Sequence, residues 1–419
     1  MTASPTPATR AVQCCIAGGG PAGMMAGLLL ARAGVHVLVL EKHADFLRDF
    51  RGDTVHPSTL EIMNELGLYD AFLERPHSKA VLLKGRIGRF EATLADFSHL
   101  PTRAKFIAMV PQWDFLDFLA TEARRYSNFE LIMQAEATDL VTTGSTISGI
   151  TARTPDGLLS VTCDLVLGCD GRRSTVRQQA GLKVEDLGAP MDVLWFRLSR
   201  RASDTAESGG AFGVGHIFVN INRGDYWQCA FVIAKGTLEA IKALGLDATR
   251  ADIARLAPFL ADRTDEIRSF DDMKLLTVGV DRLTTWHKPG LLLIGDAAHT
   301  MSPVGGVGIN LAVQDAVAAA NILATPLRTN TLSETHLAAV QARRLRPTRI
   351  IQWMQVQIQK RIISGVLGGG AELQPPLVAK IIARFPALAR IPARLIGLGY
   401  RPEHVAPLPM APRSDDTSR

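Results

Sequence analysis

Hydrophobic residues fall into distinct textures along this chain, and each predicts a different kind of element. At 12–17 a short run without polar alternation is followed by a glycine turn, by helix formers at 22–33 and by a second apolar run at 35–40. Unbroken runs of this kind suit strands covered on both faces of a parallel sheet. Pro21 stands where a first helical turn accepts proline and Gly34 where a left-handed cap closes the helix, so the stretch reads strand, helix, strand. Helices are expected again at 53–68, entered through Pro57 and Ser58, and at 111–124, with Trp113, Leu116, Leu119 and Ala120 on one face.

Between 191 and 280 the runs VLWFRL, HIFVNIN and YWQCAFVIA alternate in the β manner and predict a mostly antiparallel sheet, interrupted by one helix near 237–244. At 282–323 the first texture returns, with Leu291 to Ile294 as one more strand of the first sheet. The expectation is an α/β protein. A Rossmann-like nucleotide-binding domain is assembled from 10–80, 101–189 and 281–345, and a mostly antiparallel β-sheet substrate domain from 81–100 and 190–280 is inserted in it. A C-terminal helical segment occupies 346–405, and the tails 1–9 and 406–419, rich in Pro, Ser and Thr, are expected to be unfolded.

A length of 419 residues suits about two domains, and 47% hydrophobic with 21% charged residues is ordinary globular usage. With no apolar run near the roughly 18 residues of a membrane span, a soluble cytoplasmic protein is expected. Five cysteines, an odd number without zinc-type spacing, read as buried free thiols, and no metal site is expected. The net charge of +5 is local in origin: 341–401 carries eleven Lys and Arg against Glu372 alone, which argues against nucleic-acid binding by the main body.

Three motifs carry candidate chemistry. Gly18, Gly20 and Gly23 form a GxGxxG turn between strand and helix, with Ala22 inside it and Glu41, then Lys42, closing the second strand. Those glycines allow a tight turn, close approach of backbone N–H groups to a pyrophosphate, and close helix packing, while a carboxylate at Glu41 can accept hydrogen bonds from a ribose diol. A second strand end carries Asp170–Gly171 with Ser174 and Arg177. The third, Gly295–Asp296, continues through His299, Pro303, Gly306, Gly308, Ile309, Asn310 and Asp315 into an alanine-rich helix.

In this order the three motifs resemble the FAD-dependent aromatic hydroxylases, the single-component flavoprotein monooxygenases of the para-hydroxybenzoate hydroxylase type, over residues 10–345. The resemblance implies bound, non-covalent FAD. Gly18, Gly20 and Gly23 would hold the pyrophosphate, Glu41 the adenosine ribose, Arg51 a phosphate, Gln112 the ribityl or adenosine side, and Asp296 the ribityl hydroxyls. Gly308 and Ile309 would meet the flavin ring through their N–H groups, the Pro303 carbonyl would border the substrate, and Asp170 with Arg177 would support the flavin and the nicotinamide approach. No side-chain acid or base is assigned; His56 and His299 are read as structural. It further implies NADH or NADPH as reductant, O2 as co-substrate, and hydroxylation of an aromatic or polycyclic small molecule through a flavin C4a-hydroperoxide.

Alternatives within the same fold are a reductase of a prenyl or lipid-like substrate, a Baeyer–Villiger oxygenase, or a flavin-binding regulatory protein without turnover. Candidate substrate contacts are Phe212, His216, Phe218, Asn220, Tyr226, Gln228 and Phe231, with ordinary core as their other reading. The C-terminal segment reads either as helices covering the substrate entrance or as a basic amphipathic surface making peripheral contact with anionic lipid. The chain is expected to be a monomer or a homodimer.

Overall fold

The computed structural model describes residues 8–47, 54–205, 208–368 and 374–413. Five strands of its first sheet run parallel, in the order Leu291–Leu293, Gly157–Gly168, Ala8–Ala17, Val37–Glu41 and Phe129–Met133. His287–Lys288 adds an antiparallel edge, and Thr146–Thr154 with Glu136–Thr143 form an antiparallel extension on Gly157–Gly168. The long strand Gly157–Gly168 holds both: its first half pairs with the extension and its last three residues with Leu291–Leu293. Val37–Glu41 and Leu291–Leu293 are buried throughout, as the unbroken apolar runs require.

Helix Pro21–Arg32 lies against this sheet and is sandwiched by helices Gly308–Arg328 and Gln112–Ala123. Close packing follows from Gly27, where a Cβ would stand 2.9 Å from the Phe129 ring and 3.1 Å from Val39. Helix Gly308–Arg328 is long and apolar enough to resemble a membrane span by composition, contrary to the sequence expectation, yet 83% of its apolar window is buried inside the protein. It is a core helix.

The second sheet has seven strands, in the order Lys274–Thr277, Met191–Ser199, Tyr226–Ala234, His216–Asn222, Gly209–Gly213, Leu82–Ile87 and Phe90–Asp96. All neighbours are antiparallel except Gly209–Gly213 with Leu82–Ile87, which are parallel. One face is covered by helices Leu238–Leu244 and Leu246–Leu256 around a core of Phe196, Phe218, Phe231 and Ile253. The other face, with Val193, Ile217, Val219 and Val232, meets Val304 of the first sheet's loop together with Ile363 and Val366.

Several boundaries differ from the sequence expectation. The helix expected at 53–68 is Pro57–Glu65, because the residue before a proline is held extended, and Thr54–Val55 instead forms a strand with Ile107–Met109. Helix Leu246–Leu256 lies in a region read as β. The division at 345/346 cuts through one continuous helix, Glu334–Ile358, which then widens into a π-turn at Gln359–Ile363. Residues 406–413, expected to be unfolded, lie against the first core: Val405, Leu408 and Ala411 pack on it and the Ala411 N–H donates to the Arg32 carbonyl at 2.8 Å. Cys14, Cys15, Cys169 and Cys229 are buried and Cys163 half-buried, all as free thiols, and burial raises each thiol pKa.

Leu293, fully buried on the strand next to the edge of the first sheet, packs against Gly168, whereas Leu275 on the edge of the second is 45% exposed. Leu293→Ala should therefore cost about 2–5 kcal/mol in denaturant unfolding, and Leu275→Ala under about 1 kcal/mol.

Candidate functional site

The glycine turn is built as its spacing demands. Gly18 has φ +104°, and a Cβ there would meet the Cys169 carbonyl oxygen at 2.4 Å; a Cβ on Gly23 would stand 2.0 Å from the Gly18 carbonyl oxygen. Gly20, the residue before helix Pro21–Arg32, faces open space instead, with no atom within 4 Å of its would-be Cβ. Glu41, nearly buried, turns its carboxylate toward this loop and accepts the Gly19 N–H at 2.9 Å and the His43 N–H at 3.0 Å. Lys42 is exposed and Gln112 is half-buried at the first turn of its helix. Arg51 lies outside the described residues.

The second and third motifs meet at the carboxyl ends of neighbouring strands. Asp170 is engaged locally: one oxygen accepts the Ser174 hydroxyl at 2.5 Å and the other the Val176 N–H at 3.1 Å, capping helix Thr175–Gln179. Burial raises the Asp170 pKa against the lowering effect of those bonds. Asp296, by contrast, keeps 35% of its side chain exposed and accepts Arg172 Nε at 3.2 Å. Nη1 of Arg172 is buried with no partner among the described residues. Arg177 extends to the Ala297 carbonyl at 3.3 Å and so ties the two motifs together.

From Thr300 to Asn310 the chain forms a loop held from several sides. Gln355 accepts the Ser302 N–H at 3.1 Å and donates to the Ser302 and Val304 carbonyls at 2.9 and 2.8 Å, bracketing Pro303; Gln352 donates to the Asp281 and Thr300 carbonyls at 2.7 and 3.0 Å. Gly305 and Gly306 take φ of +80° and +64°, and the Thr54 hydroxyl donates to the Gly306 carbonyl at 2.9 Å. The Asn310 side chain is directed into the protein, its Oδ1 accepting the His56 N–H at 2.9 Å and the Thr59 hydroxyl at 2.7 Å. It fastens helix Pro57–Glu65 to the loop rather than pointing outward. Ile309 is buried, and Gly308 again has no atom within 4 Å of a would-be Cβ.

Behind the loop sits a buried charge cluster. Asp315, with no exposed surface, accepts the Gly295 N–H at 3.1 Å, His299 Nε2 at 2.6 Å and Arg344 Nε at 2.8 Å. Arg344 continues to Glu403 at 3.2 Å, and Glu403 holds Arg343 by a fork at 2.9–3.1 Å. Burial acts to raise the Asp315 pKa, but the charges and hydrogen bonds of His299 and Arg344 outweigh it and hold the pKa below the ordinary value. His299 is thus a structural partner, as is His56, whose Nδ1 contacts the Ile396 carbonyl at 2.8 Å and whose pKa burial lowers to about 4.

The substrate-contact candidates do not share one surface. Directly opposed residues of an antiparallel pair point to the same face, and the register opposes Phe218 to Phe231 and Ile217 to Val232. His216, Phe218 and Phe231 therefore lie on the helix-covered side, where His216 stacks on Phe231 at 4.5 Å and approaches Asp252 at 3.4 Å; Asn220 shares that parity. Phe212, Tyr226 and Gln228 have the parity of the other face, the one that meets Val304. There Arg197 lies over the Tyr226 ring at 4.8 Å, and Gln228 accepts Arg223 Nε at 2.9 Å. Trp195, overlooked in the sequence, stands on this face with its indole N–H buried and unpartnered among the described residues. Gln352 and Gln355, two polar residues one turn apart within an apolar helix face, were the signal for the loop clamp.

The arrangement fits a flavin dinucleotide. Helices Pro21–Arg32 and Gly308–Arg328 both begin at this site with no acidic residue in the first turn and no side-chain cap, so their N–H groups and positive dipole ends remain for an anionic ligand. The clearances at Gly20 and Gly308, the partly exposed Asp296 and the Arg172 Nη1 without a partner among the described residues are compatible with such a ligand.

Comparison with known proteins agrees. A family model described as "FAD binding domain" matches residues 11–354, and the chain belongs to this family. The 6-methylpretetramide 4-monooxygenase of Streptomyces rimosus is 32% identical over 400 residues, covering 94% of this chain and 95% of that protein. A rifampicin monooxygenase of Streptomyces venezuelae is 30% identical over 316 residues, covering 72% of this chain and 61% of its own length. The anhydrotetracycline hydroxylase structure from Streptomyces rimosus superposes with a TM-score of 0.70 at 24% identity, covering 92% of this chain and 76% of that one, which establishes the shared fold. The protein is an FAD-dependent monooxygenase.

Gln355→Leu leaves the Ser302 N–H and two carbonyls without partners and should lower stability by about 1–3 kcal/mol, with FAD retention falling after gel filtration. Asp315 has a lowered folded pKa, so its stabilisation is complete above the unfolded value of about 4 and is lost as pH falls from there toward the folded value. Thermal unfolding of the wild type should fall over that acidic interval. Asp315→Asn should be less stable at neutral pH and flatter through the same interval.

Proposed function

We propose that the protein hydroxylates an aromatic, polycyclic small molecule using O2 and NADH or NADPH, with FAD held between the two helix N-termini. The observation that supports this best is the packing of Val304, next to Pro303, onto the apolar face of the second sheet. The loop around Pro303 and a broad nonpolar wall thus lie side by side, which supports a substrate site between them. The substrate in the name of the Streptomyces rimosus relative, 6-methylpretetramide, supports a ligand of the same class.

In this reading the first sheet and its helices form a Rossmann-like FAD-binding domain and the second sheet, inserted in its sequence, binds substrate. Gly18, Gly20, Ala22 and Gly23 line the pyrophosphate, and Glu41 fixes the loop while facing the adenosine ribose. Asp296 accepts from the ribityl hydroxyls, with Arg172 holding that carboxylate in place. Gly306, Gly308 and Ile309 present backbone groups to the ring, and the helix dipole favours negative charge there. Gln112 and Lys42 remain candidates at the adenosine side. Asp170 and Asn310 serve by positioning, since their side chains are committed to the protein.

FAD supplies the electron transfer and oxygen activation, so one oxygen atom enters the substrate while the other leaves as water and the nicotinamide is oxidised. The chain's own work is to orient the substrate and exclude water. Trp195, Phe212, Val219 and Val232 provide the wall, Val304 and Pro303 the floor, and Ile363 and Val366 the cover. Trp195 Nε1, buried without a partner among the described residues, is the hydrogen-bond donor available to a substrate oxygen.

The test is NAD(P)H oxidation by the reconstituted yellow protein across a set of polycyclic phenols, with product masses. Stimulated oxidation with a gain of one oxygen atom is expected. Asp296→Ala should lose FAD about ten-fold more readily, as the loss of one charge-assisted hydrogen bond implies. Failure of the wild type to bind FAD, or no mass gain with any polycyclic compound, would overturn the reading.

A further inference from the structure

Helix Leu377–Arg384 buries none of its residues, although it runs along Phe90–Asp96, the outer strand of the second sheet. Leu377, Val378, Ile381 and Phe385 are exposed at 72, 66, 41 and 56%, and Ile391 at the start of helix Arg390–Gly397 at 68%. Large apolar side chains gathered within fifteen residues of sequence form a patch of the kind that marks an interaction surface. Lys380, Arg384, Arg390 and Arg394 are exposed among them. From 374 to 402 the chain carries five Lys and Arg and no Asp or Glu.

Not all of the C-terminal basic charge is available in this way. Arg343 and Arg344 are committed to Glu403 and Asp315, and Arg346 lies over the Tyr400 ring at 5.7 Å. Arg390 shares a contact with His99 at 2.9 Å, near Asp96, which leaves Lys380, Arg384 and Arg394 as the outward cations of the two helices. Part of the positive charge that the sequence spreads over sixty residues therefore stands outward on the same helices as the exposed apolar side chains.

We propose that the face formed by Leu377–Arg384 and Arg390–Gly397 docks on the surface of an anionic lipid bilayer. The apolar side chains enter the boundary between headgroups and acyl chains while the cations meet lipid phosphates, the arrangement that basic amphipathic helices use. A second copy of the chain fits this face poorly, because a two-fold contact sets the patch against itself and would bring the like charges of the two helices together, neither helix carrying an acid of its own. Burial of Ala393 and Gly397 against Phe97 and Leu100 anchors the docking face rigidly to the second sheet, so binding requires no rearrangement of the fold. The inference is independent of the reaction proposed above.

The test is co-sedimentation of the full-length, FAD-loaded protein with vesicles of phosphatidylcholine alone and of phosphatidylcholine mixed equally with phosphatidylglycerol. Pelleting with the mixed vesicles is expected to exceed that with the neutral ones about ten-fold at low salt and to weaken as salt is raised. The variants Lys380→Glu/Arg384→Glu and Leu377→Ser/Phe385→Ser should each lose the pelleting while keeping FAD content and melting temperature. Equal pelleting on both vesicle types, or pelleting unchanged in both variants, would overturn the proposal. So would a dimer in analytical ultracentrifugation that the same variants abolish, which would assign the face to a second copy.

Discussion

The carboxylate of Asp315 is the point on which three separated pieces of chain converge. It is wholly buried, so leaving it unpaired would cost several kcal/mol. The turn at Gly295, the ring of His299 at the end of that turn and the guanidinium of Arg344 from helix Glu334–Ile358 together meet that demand. Because Arg344 also binds Glu403, the segment after the last helix is drawn into the same cluster. The Gly295–Asp296 turn is consequently positioned from behind, and Asp296 is left free to face outward.

The same logic governs the loop that follows. Residues 300–306 have little regular structure, and glycines at positive φ give them freedom that a site cannot tolerate. Gln352 and Gln355 remove it by satisfying the loop's backbone groups from a helix some fifty residues later. Thr54 and Asn310 secure the opposite side. The loop proposed to meet the cofactor is thus made rigid by side chains that need not touch it.

This division of labour explains which site residues could be read in advance. Gly18, Gly20 and Gly23 act through local backbone geometry, and their spacing carries that geometry directly. Asp296 stands at a strand end, which also shows locally. Asp170 and Asn310 belong to the same motifs, yet their side chains serve the protein itself, a distinction that depends on Ser174, Val176, His56 and Thr59 being in reach. Arg344 and Glu403 have no local pattern at all, because their partners lie far away in sequence, and Gln355 shows only as a polar position in an apolar helix face without naming what it binds.

By itself the sequence determined most of the element types and the discontinuity of the first sheet, since apolar periodicity and glycine spacing are local properties, and the resemblance carried by its three motifs pointed to the class of chemistry. Only the tertiary structure decided which face of each β-strand meets the flavin loop. Phe218 and Phe212 have the same parity in sequence but fall on opposite faces, because the register pairs Phe218 with Ala211 and Phe212 with Ile217. It also decided the fate of the basic C-terminal charge, part of it neutralised in the Asp315 cluster and part left outward beside exposed apolar side chains. Charge count is a property of the chain, but which charges find partners is a property of the fold.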